Sequence, residues 1–207
     1  MENAFGKGMR SMLEYLRRAV TPIFINLMFG MTMLAVSAIS ITELKIMLMV
    51  ALVALTFLAS FLLMRSMGEY AYKMKVAGDR KRAGQPVGMG LETGKDTYHS
   101  SKEYRSYKGF VIGAVVCIIP VIFIIVDICT GSGGARLAYG MLAGWALMPV
   151  LAISTKANIL FSLIPCAIQI VVSGIAYILG GGREKVRQFA LEQRAESVAK
   201  TKGAKKG

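Results

Sequence analysis

The chain has 207 residues, of which 55% are hydrophobic and 18% charged, and its 25 Lys and Arg against 12 Asp and Glu give a formal net charge of +13. A soluble domain is charged at about a quarter of its positions, and a disordered chain is poor in apolar residues. Both classes are therefore excluded for most of the length. The three cysteines, an odd number set in apolar runs, exclude a disulfide framework. An integral membrane protein remains, in keeping with a mean hydropathy of +0.54.

Residues 19–42, 46–64, 109–126, 137–155 and 157–182 contain no Asp, Glu, Lys, Arg or His. A spanning helix needs about 20 mostly apolar residues to cross about 30 Å of hydrocarbon. The first, second and fifth stretches meet this, and the third does if it continues to Thr130 and takes in Asp127. The fourth is short of it and carries Gly140, Gly144, Pro149 and Ser154. Barrel strands would alternate apolar and polar residues. These runs are solidly apolar, and a helix satisfies all its backbone polar groups within one segment, as lipid demands. Arg17, Arg18 and the triplet Ala35-Val36-Ser37 loosely outline a cleavable leader over residues 1–37. The long leader and long apolar run favour a retained first helix.

All but Lys45, Arg136 and Lys156 of the basic residues fall within 1–18, 65–108 and 183–207. Short loops rich in Lys and Arg stay cytoplasmic. Three blocks on one side require an even number of crossings between each pair, so one of the three apolar runs in 109–182 should not span. The expected fold is all-α: a polytopic transmembrane helix bundle of four full spans plus a re-entrant or interfacial helix over 137–155 on the outer side, with five spans as the alternative. Its parts are an interfacial amphipathic segment (1–18), a first hairpin (19–64), a basic cytoplasmic loop (65–108), a second transmembrane unit (109–182) and a basic tail (183–207). The N- and C-termini are expected in the cytoplasm.

Phe5, Met9, Met12, Leu13 and Leu16 share a helical face, as in a helix lying on the bilayer before the first span. Residues 65–82 should prolong the second helix, with Glu69 and Lys73 paired at i,i+4. Residues 88–97 fail as a phosphate loop, because Met89 and Asp96 stand where Gly and Ser or Thr are needed. Tyr98, Tyr104 and Tyr107 alternate with Lys102, Arg105 and Lys108 just before the third span. An aromatic and basic anchor among headgroups explains them, and attraction to anionic lipid headgroups explains the basic blocks, so a nucleic-acid partner is not expected. The tail reads as a solvated topology anchor.

Ionisable groups inside spans are functional candidates by default. Asp127 qualifies, and Arg136 could pair with it. Asn26 and Gln169 lie in the first and last spans, where amides bond neighbouring helices; together with Asp127 they mark a candidate polar path. Gly109-x-x-x-Gly113 and Gly140-x-x-x-Gly144 permit close helix packing or self-association. Pro22 falls near a helix start, where proline is tolerated, whereas Pro120 and Pro165 fall mid-helix and should kink two spans. His99 has no ligand partner at useful spacing, and Cys117, Cys129 and Cys166 are far apart in sequence, so no metal site, cofactor site or catalytic residue is expected.

Tyr107-Lys108-Gly109-Phe110 and Ala176-Tyr177-Ile178-Leu179-Gly180 resemble segments of bacterial membrane proteins of four to five passes and unknown activity. The resemblance implies a bacterial cytoplasmic-membrane protein and carries no activity or site residues. The expected role is a non-enzymatic packing component of a membrane assembly, with a membrane-protein partner or a second copy. A small transport subunit is the alternative, and an intramembrane enzyme comes last for want of catalytic groups.

Overall fold

The computed structural model describes residues 4–82, 104–130, 133–153 and 159–204, and every regular element among them is helical. Helix α1 is Ala4–Ser37, α2 Thr42–Arg82, α3 Lys108–Val116, α4 Ile118–Thr130, α5 Gly133–Ile153 and α6 Leu163–Ala204; a 3-10 turn over Ile159–Ser162 leads into α6. Four segments are long and apolar enough to cross a membrane: Met12–Ser37, Thr42–Asp79, Lys108–Val126 and Leu160–Arg194. Their outer faces are apolar and open, as Val20, Phe24, Met28 and Met31 are on α1. Hydroxyls in these segments bond back to their own helix, with Thr32 donating to the Met28 carbonyl at 2.9 Å and Thr56 to that of Leu52 at 2.7 Å. That is the local solution where water is absent.

Helix directions follow from which residues meet. On α2 and α6, Arg65 lies beside Gly180, Glu69 beside Arg183 and Lys73 beside Glu184, so the two run parallel. On α3 and α6, Gly109 faces Tyr177 while Gly113 faces Ser173 and Ile170, so these run antiparallel. Lys108 lies close to Glu14 and Arg18 of α1. The first turns of α1 and α3, the far end of α2 and the second half of α6 therefore share one end of the bundle. Met33, Met49, Met64, Trp145 and Cys166 belong to the main core, and Ile124, Tyr139, Ala143 and Leu147 form a smaller one between α4 and α5.

Several local expectations are corrected. The segment 4–18 is helical, and α1 runs through Arg17 and Arg18 into the first span without a break. Pro22 is consequently deep inside α1, where its missing N–H leaves the Arg18 carbonyl without its usual partner. The third span is divided into two helices at Cys117, whose N–H is shared between the Gly113 and Ala114 carbonyls at 3.2 and 3.1 Å. Pro120, three residues on, cannot donate to Val116. Pro165 is not mid-helix: α6 begins at Leu163 after the 3-10 turn, which places the proline in a first turn where no N–H is needed.

Helix α5 is the element of uncertain depth in the sequence. It packs mainly on α1 and runs antiparallel to it, Gly144 meeting Gly30 and Gly140 meeting Leu34. Its helix is interrupted at Ala143 (φ −136°, ψ 28°). A methyl on Gly140 would lie 2.7 Å from Cε of Met148. In a straight helix residues eight apart are about 12 Å apart along the axis, so α5 is kinked at Ala143 and the Met148 side chain reaches back to Gly140.

Candidate functional site

The chemistry-bearing residues of this chain lie along helix interfaces. On α6 the buried side chains Cys166, Gln169, Ser173, Tyr177 and Glu184 recur at spacings of three, four and seven, with Gly180 between. This face of small and polar residues continues from the apolar span into the tail. It is the seam on which α2 and α3 pack, and the same small residues that admit the neighbouring backbones put the polar ones out of reach of water.

Gly109 and Gly113 lie on this seam. A methyl on Gly109 would fall 2.5 Å from Cβ of Tyr177, and one on Gly113 2.9 Å from Cβ of Ser173. Gly144 crosses α1 at Gly30, with a would-be methyl 2.7 Å from the Gly30 carbonyl oxygen. Gly140 faces the Met148 side chain and Leu34. All four glycines are thus occupied by contacts within the chain. Sequence reading did not single out Gly68 and Gly180, whose hypothetical methyls collide with the carbonyl oxygens of Tyr177 and Arg65. Glycine alone in the last turn of an apolar run reads as an end signal; that it lies on the same face as Tyr177 and Ser173 was the signal available.

Asn26 is buried on α1 and accepts a hydrogen bond at 3.4 Å from the Ser60 hydroxyl of α2. Gln169 is also buried, but its amide donates to Ser173 of its own helix at 3.4 Å, so only Asn26 joins two helices as expected of both. The two amides belong to different interfaces. Each has one atom, Nδ2 of Asn26 and Oε1 of Gln169, without a hydrogen-bond partner. The Asp127 and Arg136 side chains, Lys156, His99, Tyr98, Lys102 and the loop over 88–97 lie outside the described residues, although the Asp127 and Arg136 backbones are in α4 and α5.

Cys117 and Cys166 are 3% exposed, and the Cys117 thiol donates to the Cys166 carbonyl at 3.4 Å. Residues distant in sequence thus meet where α3, α4 and α6 converge. No group of three or more His, Cys, Asp or Glu able to hold a metal ion is found among the described residues.

At the basic end of the bundle the side chains are ordered by one another. Tyr104 stacks on Tyr177 with ring centroids 5.4 Å apart and planes 1° from parallel, covers Gly181, and meets the edge of Tyr72 at 5.6 Å. Tyr104 is thus a bundle residue and Tyr107 the exposed one. Arg105 donates to the Tyr107 hydroxyl at 3.2 Å, and this bond with one from Tyr15 holds the Tyr107 phenol below its ordinary pKa. Lys108, expected among headgroups, is 3% exposed. The Glu69–Lys73 pair does not form. Glu69 takes Arg65 at 3.6 Å and Arg183 at 3.5 Å. Lys73 turns to Glu184 at 4.0 Å. Arg65 of the same helix and oppositely charged partners from the parallel helix take the place of the expected pair. At the start of the tail Glu184 alone is buried against α2, 2% exposed, and also takes Arg187 at 3.6 Å and a hydrogen bond from Gln188 at 2.7 Å within its own helix, while residues 185–187 and 189–194 are exposed.

Comparison with known protein families, with curated proteins and with solved structures finds no match.

Proposed function

We propose that this chain is a multi-pass protein of the bacterial cytoplasmic membrane that crosses four times and acts as a non-enzymatic packing component of a membrane assembly. In this reading α5 is a re-entrant element entered from the outer side, and both termini are cytoplasmic. The broken course of α5 supports this. So does the start of α6 at the level of Cys117, part-way along the third span. Broken backbone at membrane depth is tolerated where protein covers it, and Tyr139, Ala143 and Leu147 are buried. The meeting of all the basic ends at one end of the bundle supports the even number of crossings.

The observation that carries the assembly role is on α6 beyond Gly182. On the face opposite Glu184, Val186 is 69% and Phe189 61% exposed. Here the helix has left its apolar run and become charged, so hydrocarbon does not account for their exposure. Large apolar side chains open to water mark contact sites. A membrane-protein partner or a second copy would cover them.

Purification in mild detergent tests this, with molar mass and co-purifying chains measured for the wild type and for Val186→Glu/Phe189→Glu. The expected result is an assembly that the double substitution dissolves while Asp127→Asn and Gln169→Leu leave it intact. The transport reading rests on the unpartnered amide atoms of Asn26 and Gln169. It gains if the wild type is a solitary monomer and proteoliposomes show a solute flux that Asp127→Asn or Gln169→Leu abolishes.

A further inference from the structure

Between α2 and α6, where both helices change from apolar to charged sequence, a groove of about 530 Å³ is lined by Phe61, Arg65, Ile178, Leu179, Gly182 and Arg183. Its two halves differ in kind. Phe61, Ile178 and Leu179 make an apolar wall, and Leu179 is 52% exposed. Arg65 and Arg183 close the other end, held side by side by Glu69, whose Oε1 lies 3.6 Å from Nε of Arg65 and 3.5 Å from Nη1 of Arg183. One carboxylate between two guanidiniums leaves a net positive charge, and each guanidinium carries more N–H donors than one shared oxygen accepts. Gly182 opens the floor, since nothing lies within 4 Å of where its Cβ would be.

We propose that this groove is a binding site for an anionic glycerophospholipid of the cytoplasmic leaflet, with the phosphate headgroup on Arg65 and Arg183 and an acyl chain along Phe61, Ile178 and Leu179. The fit rests on charge order along the groove. A planar guanidinium pairs phosphate oxygens in a bidentate manner, and the apolar wall begins on the side from which a lipid tail would rise out of the bilayer. A free phosphate would use the arginines and leave the wall uncovered. A zwitterionic lipid would use the wall but bring a cationic group to two guanidiniums. Glu69 orients the pair and sets the preference for a headgroup with one phosphate charge over a multiply charged one. The site rests on the four-span reading, which gives the groove its leaflet.

Native mass spectrometry of the full chain released from nanodiscs tests it, with phosphatidylglycerol and phosphatidylcholine offered at equal amounts. The expected result is about tenfold preference for phosphatidylglycerol, set by two cations near one anionic headgroup. Arg65→Gln/Arg183→Gln should bring the two lipids to parity. Gly182→Leu should remove the adduct by filling the groove while leaving the thermal midpoint unchanged or higher, because leucine is the better helix former and nothing lies within 4 Å of its Cβ position. Equal binding of both lipids by the wild type, or preference retained in both variants, overturns the site. Displacement of phosphatidylglycerol by millimolar inorganic phosphate, with no dependence on Gly182, overturns the lipid as occupant in favour of a soluble anion. Alkaline carbonate extraction of the same membranes separates this from failure of the parent reading. If the chain is washed off the membrane, the spanning reading falls. If it stays and shows no lipid preference, the groove alone falls.

Discussion

Gly68→Ala should destabilise the bundle, although the same change in an ordinary helix interior adds about 1 kcal/mol of stability. The added methyl would be driven into the carbonyl oxygen of Tyr177, and the equivalent methyl at Gly180 into that of Arg65. Backbone atoms cannot rotate aside as side-chain ends do, so α2 and α6 must separate along their whole shared seam. Overpacking of a well-packed core costs about 1–3 kcal/mol, and Gly68→Leu should exceed that range because no rotamer keeps its branch out of the interface. Separation would also withdraw the surface on which Tyr104 stacks, because Tyr177 presents its backbone to Gly68 and its ring to Tyr104. The buried thiols of Cys117 and Cys166 report the loss. In a Cys129→Ser background, which removes the exposed thiol, their reaction with a maleimide during a thermal ramp in detergent should begin at a lower temperature in Gly68→Ala and Gly180→Ala than in the parent chain. Gly182→Ala, two residues further along the same helix and facing open space, should leave it unchanged or raise it. Equal midpoints for Gly68→Ala and Gly182→Ala would contradict the close crossing.

Glu184→Leu should release the second half of α6 from α2 while the spans stay inserted. Glu184 is 2% exposed, accepts a hydrogen bond from Gln188 at 2.7 Å, and forms ion pairs with Lys73 at 4.0 Å and Arg187 at 3.6 Å. Hydrogen bonds to a charged group contribute about 1.5–3 kcal/mol. The cations are more forgiving than the acid: the Lys73 and Arg187 side chains are 37% and 65% exposed and solvate readily once freed. Glu184→Leu is thus expected at the lower part of that range, and Lys73→Glu above it, since it sets a like charge about 4 Å from a carboxylate with little access to water. Limited trypsin digestion reads the effect through cleavage at Arg187 and Arg194. Both variants should be cut several-fold faster than the wild type, and Lys73→Glu/Glu184→Lys should recover part of the protection, as coupled residues do. Unchanged cleavage in Lys73→Glu would contradict the docking of Glu184 on α2.

The sequence made the helical class and the four apolar segments legible, because length and unbroken hydrophobicity are local properties that lipid enforces. The break in the third span was legible for the same reason, since Pro120 acts on its own turn. What was not legible depended on another helix. Glu69 and Lys73 have the right spacing to pair; Arg65 offers Glu69 a rival at the same spacing, but nothing in residues 65–82 shows that Arg183 and Glu184 of another helix will take part. Lys108 looks like a headgroup anchor until Glu14 and Arg18 are seen beside it. Gly30 and Gly68 are single small residues in long helices, and their meaning lies wholly in the backbone that crosses them. Pro165 was misplaced because the apolar run includes Ile159–Ser162, which form a 3-10 turn before α6 begins; hydropathy does not distinguish a 3-10 turn from a helical one. The role of the candidate polar residues was the least legible part, since an amide in a span has the same sequence signature whether it bonds its own helix, as Gln169 does, or the next one, as Asn26 does.

The claim on which the topology depends is that both ends of the chain and the basic loop between α2 and α3 lie on one side of the lipid, with the end of α4 on the other. Cys129, an exposed thiol near that end, supplies a native probe. Intact cells carrying either the wild type or Cys129→Ser/Gly207→Cys should be treated with a membrane-impermeant maleimide. The account predicts labelling of the wild type through Cys129, and no labelling of the second chain until the cells are permeabilised. Labelling of the terminal position in intact cells would mean an odd number of crossings and would contradict the account.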